Sequence, residues 1–250
     1  MVEGMITLVA AAGVAGVALV VVATLMGGIA QSTVGFGAAF ASVPALALVA
    51  PELLPGAVLT GMLPLTAWMA VIERRHLDRP AALRLSLARV PGIVIGTAIV
   101  VAADVQWLTL IVAVVLLTAV AASAMGWRIA VTPAREWVAG VVSGTTGAAT
   151  ALGGPPLALL YRHRDPAVVR PTLAVVWVVG IVLTLTSLGV AGEYTVVQAG
   201  AGAVLSLVVL CGLLVSRPVI ARVSPSAIRT AVLWWAGVGG VAALVRALLL

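Results

Sequence analysis

Between Gly4 and Ala50 the chain carries no charged side chain. A bilayer core about 30 Å thick is crossed by about 20 helical residues, so this apolar run is too long for a single crossing. Its middle, Gly28-Ile-Ala-Gln-Ser-Thr-Val-Gly-Phe-Gly37, crowds glycine and small hydroxyls where a spanning helix should be most regular. An echo of that stretch follows from Gly140 to Pro156. The pattern predicts helices broken inside the membrane, with backbone groups left free to hold a ligand.

The remaining chain fits that setting. Hydrophobic residues make up 63%, charged ones 9%, and the mean hydropathy is +1.25, which excludes an ordinary soluble domain. The apolar segments lack the alternation of a membrane barrel, so the class is an all-α polytopic membrane protein. The net charge of +6 comes from arginine without any lysine. These arginines sit in short connections between apolar segments, which makes them an orientation signal and argues against nucleic acid as a partner. Cys211 is alone, and His76 and His163 lie in loops, so no disulfide, metal site or cofactor is expected. Val2-Glu3-Gly4 offers no basic start for a signal peptide, and the first apolar run is read as retained.

The segments predict spans at Met5–Thr24, Leu54–Ile72, Ser86–Ala103, Val105–Met125, Thr172–Val190, Thr195–Val215 and Ile228–Leu249. Arg84 and Arg89 are read as extending the basic loop Glu73 to Arg79, and Arg128, Arg135 and Glu136 as a second basic loop. If both glycine-rich stretches were full crossings, Arg162, Arg164, Arg170, Arg217, Arg222 and Arg229 would lie on the wrong side for the positive-inside rule. If each enters and leaves on one face, every basic loop is cytoplasmic and Glu52, Asp104 and Glu193 are external. Only Arg246 then falls outside.

That topology makes two inverted-topology repeats, each a glycine-rich re-entrant or broken helix followed by three crossings. The expected division is an N-terminal helix over 1–27, repeat 1 over 28–125 and repeat 2 over 126–250, with seven or eight crossings in all. A shift of 112 residues (140 − 28) pairs Gly28 with Gly140, Thr33 with Thr145, Gly35 with Gly147, Ala39 with Ala151, Pro44 with Pro156 and Leu48 with Leu160. Chance would supply roughly two or three such identities in a chain this biased.

At Ser143-Gly-Thr-Thr-Gly147, Gly153-Gly-Pro-Pro156, Tyr161 and Arg170-Pro-Thr172 the chain resembles the TauE/SafE sulfite-exporter family. Gly35-Phe-Gly37, Pro44 and the loop Glu73 to Asp78 occupy the corresponding places in the first half. The resemblance implies an inner-membrane transporter, expected to export sulfite, sulfoacetate or another organosulfonate. The chain departs from the fuller glycine cluster at Ala38-Ala39 and at Ala148 to Leu152, which bears on substrate identity more than on fold.

The expected site joins two half-helix tips near the midplane, whose free N–H groups favour an anion. Gln31, Ser32, Thr33, Ser143, Thr145, Thr146 and Thr150 would add side-chain donors, while Gly35, Gly37, Gly147, Gly153 and Gly154 would admit close backbone approach. Neither stretch holds a charged residue, so the expectation is a site of dipoles alone. Arg170 is either a substrate clamp or a topology anchor, and Arg74, Arg75 and Arg79 are lipid anchors. Glu73 and Asp78 read as members of a loop ion pair, with a proton relay as the alternative. Trp68, Trp107, Trp127, Trp137, Trp234 and Trp235 fall near segment ends as interfacial anchors do, and Trp177 reads as packing. The expected partners are a small inorganic or organic anion and membrane lipids, with a homodimer left open. Competing readings are a non-transporting scaffold and an intramembrane serine hydrolase built on Ser143, which would need a histidine base. The absence of a mid-membrane ionisable residue suggests a facilitator, or a substrate that carries its own proton.

Overall fold

The computed structural model describes residues 2–35, 37–124, 129–220 and 222–249. Ten helices form among them: α1 (Val2–Val34), α2 (Ala38–Val49), α3 (Gly56–Ile72), α4 (Arg79–Ala102), α5 (Val105–Ala124), α6 (Pro133–Thr150), α7 (Gly154–Leu160), α8 (Pro166–Val190), α9 (Val196–Ile220) and α10 (Pro225–Leu249). Six have the length and apolarity to cross a membrane: the Gly13–Thr33 part of α1, then α4, α5, α8, α9 and α10. Their exposed surface is largely apolar, as at Val94, Leu207 and Val241, which suits contact with lipid.

Both glycine-rich stretches are helical hairpins. In the first, α1 runs unbroken through Gly27 and Gly28, and the chain turns at Gly35 (φ 84°) and Gly37 (φ 133°). These left-handed angles suit glycine. Ala38 N–H, at the start of α2, donates to Gln31 Oε1 at 3.3 Å, and Gly27 faces Ala38 and Ala41. α2 therefore lies back along α1. In the second, α6 ends in left-handed Ala151 (φ 62°), and α7 returns beside it, with Gly153 O accepting from Ser143 Oγ at 2.5 Å. Tyr161, just past α7, donates to Glu136 in the first turn of α6 at 2.5 Å, so the chain leaves where it entered.

These hairpins correct two expectations. The helix expected over 1–27 is not separate; it continues to Val34 as the first limb of a hairpin, with a kink at Gly13. Gly28 does not break it because the glycine serves packing: a Cβ added at Gly212 of α9 would lie 2.9 Å from Gly28 Cα. The 112-residue register also misses the turns. Their left-handed residues, Gly35 and Ala151, differ by 116 (151 − 35), one helical turn more.

Helix starts were misplaced as well. α4 begins at Arg79, capped by Asp78 accepting from Ala81 N–H at 3.0 Å, so Arg84 and Arg89 lie on a spanning helix. α8 begins at Pro166 behind an Asp165 cap, which puts Arg170 one turn inside it. Arg217 and Arg229 belong to α9 and α10. The expectations for Trp127 and Arg128, and for Phe36, fall outside the described residues.

Pairing among the helices follows a pattern. α4 packs on α6 and α9 on α1; α4 packs on α8 and α9 on α3; α3 meets α8 and α5 meets α10. Glycine permits the closest of these, since Gly92 and Gly144 bring α4 and α6 into backbone contact. At one end, Arg170 of α8 reaches Glu73 and Asp78 N–H donates to Thr172 Oγ1, joining the connections before α4 and α8. At the other end, Gln198 donates to Glu52 O at 2.9 Å and Tyr194 OH pairs with Thr60 Oγ1 at 2.7 Å. Arg246 lies at that second end, where it caps the carbonyls of Ala47 and Leu48 at the end of α2. A helix C-terminus attracts a cation, which accounts for the one exception to the charge bias.

Candidate functional site

Between the hairpins lies a cavity of about 50 Å³. Gln31, Gly37, Ala39 and Phe40 come to it from the first, and Gly147, Ala151, Leu152, Gly153 and Gly154 from the second. α3 contributes Thr66, α8 contributes Trp177, and α4 contributes Arg89.

Arg89 is the residue that the sequence reading missed. It sits midway along α4 and is only 3% exposed. Its Nη1 donates to Ser143 Oγ at 2.6 Å, and that hydroxyl donates onward to Gly153 O. Three glycines make its space: a Cβ at Gly147 would lie 3.1 Å from Nη2, one at Gly153 3.1 Å from Nη1, and one at Gly180 2.5 Å from Nε. Nε has no hydrogen-bond partner among the described residues, and neither does the buried Trp177 Nε1. The ion pairs among those residues are Arg84–Glu136 and Arg170–Glu73, so no carboxylate neutralises Arg89. A buried charge without a partner costs several kcal/mol. The cavity is therefore not lined by dipoles alone, and an ionisable residue lies midway along α4. Trp177, expected as packing, lines the same cavity.

The residues expected at the site divide. Gln31, Gly37, Gly147, Gly153 and Gly154 line the cavity, and Ser143 stands behind it as the acceptor for Arg89. Ser32, Thr33, Thr145, Thr146 and Thr150 return their hydroxyls to carbonyls one turn back, at 2.7 to 3.1 Å, and do not line it. Such back-bonding satisfies a hydroxyl within its own helix. Ser143 gives its proton to Gly153 O, and no histidine is among its partners. The two tips also differ. α2 begins with Ala38-Ala39-Phe40, which carry N–H groups, but α7 begins Gly154-Pro155-Pro156, and proline has none to offer.

Gly35 and Arg170 line a second, larger cavity of about 280 Å³, with Arg162, Arg164 and Arg229. Phe40 borders both cavities. Arg170 makes four hydrogen bonds: Nη2 and Nε donate to the two Glu73 oxygens at 2.6 and 3.1 Å, and Nη1 and Nη2 donate to the carbonyls of Thr33 and Ser32 at 3.0 and 3.1 Å. It ties the end of α1 to α8 and to the connection after α3. Glu73 thus pairs with Arg170 and Asp78 caps α4, in place of a local loop pair. Trp235, read as an interfacial anchor, donates to Ala41 O at 2.9 Å.

Glu136, expected in a basic loop, lies in the first turn of α6 and is only 2% exposed. Arg84 Nε at 2.6 Å and Tyr161 OH hold its two oxygens. Burial, and then the bond to Glu136, push the Tyr161 phenol above its ordinary range, so it stays a donor at neutral pH.

No curated protein and no solved structure matches the chain. Residues 6–243 match the family described as Sulfite exporter TauE/SafE. With its helical, membrane-crossing architecture and almost its whole length matched, this chain belongs to the sulfite exporter TauE/SafE family, a family of membrane transporters.

Proposed function

We propose that the protein is a secondary transporter of the inner membrane that exports a small sulfur-containing anion, such as sulfite, sulfoacetate or another organosulfonate. The observation that carries this reading is Arg89, a buried cation beside a cavity with no carboxylate to balance it. An anion in that cavity would offset the cost of burying the Arg89 charge, and Trp177 lines the same cavity. Gln31, Gly37, Gly147, Gly153 and Gly154 shape the site around it, and the start of α2 adds backbone donors. Gly35 and Arg170 stand at the entrance.

The helix pairing supports inverted repeats formed by α1–α5 and α6–α10. Exchanging each helix for its counterpart turns the α4–α6 contact into α9–α1, turns α4–α8 into α9–α3, and returns α3–α8 and α5–α10 to themselves. Repeats of this kind support alternating access by rocking one half against the other around a central site. The arginine-rich connections are cytoplasmic in this reading. Cysteines placed at Pro51 and Arg164 are expected to label from outside and inside respectively; labelling of both from one face would defeat that topology.

The direct test is uptake into proteoliposomes of sulfite, sulfoacetate, thiosulfate and sulfate, with chloride as control. At least one sulfur oxyanion is expected to move and to compete with the others. No flux with any of them would favour a scaffold over a carrier.

A further inference from the structure

The larger cavity holds a second unbalanced pair of charges. Arg162, in the connection between α7 and α8, donates from Nη1 to Ser123 O at 3.2 Å. Arg229, in α10, donates from Nη2 to Ser123 Oγ at 3.0 Å. Two guanidinium groups thus converge on the last turn of α5, and neither belongs to an ion pair among the described residues. Arg229 Nε is buried there without a hydrogen-bond partner. Arg164 and Tyr161 line the same cavity, and among the described residues no Asp or Glu does.

Capping of α5 is the plainer explanation, since arginine at a helix C-terminus satisfies free carbonyls and meets a favourable dipole. It accounts for one donor of each arginine, and a guanidinium has five. It also leaves two like charges side by side in a partly enclosed space, where they repel. Arg170, in the same wall, shows what a balanced arginine looks like in this protein, with four hydrogen bonds and a carboxylate.

We propose that Arg162 and Arg229 form a second oxyanion site, distinct from the Arg89 cavity and divided from it by Phe40. The ligand is a group with at least two anionic oxygens, such as sulfite or a sulfonate, able to accept from both arginines at once. A lipid phosphate has the same chemistry. The free anion is favoured because the site shares its cavity with Gly35 at the turn of the first hairpin and with Phe40, which also borders the Arg89 cavity. Its role as a loading site rests on the transport reading above; its binding does not.

The test is calorimetric titration of the purified full-length chain with sulfite, sulfoacetate and sulfate, run on wild type, R162Q/R229Q and R89Q. Wild type should show two classes of site for at least one anion. R162Q/R229Q should weaken one class by about tenfold or more and leave the other, and R162K/R229K should recover part of the loss. If the double variant does not fold, R229Q alone should show the same loss to a smaller degree. Variants that titrate like wild type with all three anions would overturn the proposal. A phospholipid that native mass spectrometry finds bound to wild type and lost from R162Q/R229Q, and that none of the anions displaces, would overturn it too. R89Q separates the two sites: losing its own class while keeping the Arg162–Arg229 class upholds both, whereas an R89Q that titrates like wild type removes the central site alone.

Discussion

Arg89→Gln is expected to lower anion flux by about 100-fold while the protein still reaches the membrane and melts within a few degrees of wild type. The two halves of that result have one cause. Truncating a buried charge that pairs with an anion costs about 3 kcal/mol of binding, and each 1.4 kcal/mol is tenfold. The same truncation removes a charge whose burial no carboxylate repays, so folding stability should not suffer. Ser143 loses a donor but keeps its bond to Gly153 O. Arg89→Lys keeps the charge and loses the planar fork, and should fall between, with about a tenfold loss. Flux is read in proteoliposomes per reconstituted molecule, and melting by near-ultraviolet circular dichroism. An Arg89→Gln variant with flux within twofold of wild type would remove the central site; one that melts far lower with flux merely following abundance would make Arg89 a structural residue.

Gly180→Ala should produce the second large effect without touching a charge. The added methyl would lie 2.5 Å from Arg89 Nε and 2.6 Å from Nη2. Gly147 and Gly153 flank the guanidinium on its other sides, so it can yield only by leaving Ser143 or by entering the cavity. A glycine-to-alanine change inside a helix ordinarily stabilises by about 0.5–1 kcal/mol. Here a flux loss of about tenfold is expected despite that gain, on the scale of a lost charged hydrogen bond. Gly189, on the same helix, has nothing within 4 Å of an added Cβ, and Gly189→Ala should transport like wild type. Equal flux in the two variants would show that the guanidinium is not held where Gly180 faces it.

Much of the architecture was legible in the sequence. Apolar runs of spanning length predicted the long helices, and the glycine-rich stretches were read as interrupted helices, where the structure has α2 lying back along α1 and α7 returning beside α6. The turn positions were not legible, because glycine serves two purposes in such helices. Gly28 and Gly144 bring helices together, whereas Gly35 and Gly37 turn the chain, and composition does not separate them. Hydroxyls misled for a related reason: Thr145 and Thr146 look like ligand donors, yet a helical threonine can satisfy itself one turn back.

Arg89 was hidden by its neighbours. Three positions of the run Arg79, Arg84 and Arg89 look like one basic loop, but the Asp78-x-Pro80 start places all three on a helix. The helical signal was available in the Asp cap and the proline at the second helical position. What no local pattern carries is that Gly147 of α6, Gly153 of the turn between α6 and α7, and Gly180 of α8 clear a space for one guanidinium.

That single guanidinium also sets a valence. Beside one fixed positive charge, a monoanion completes a neutral centre, whereas a dianion leaves a net negative charge against the buried Arg89. Discrimination between singly and doubly charged forms of a sulfur oxyanion would then arise from charge counting at Arg89, with no residue dedicated to reading the rest of the molecule.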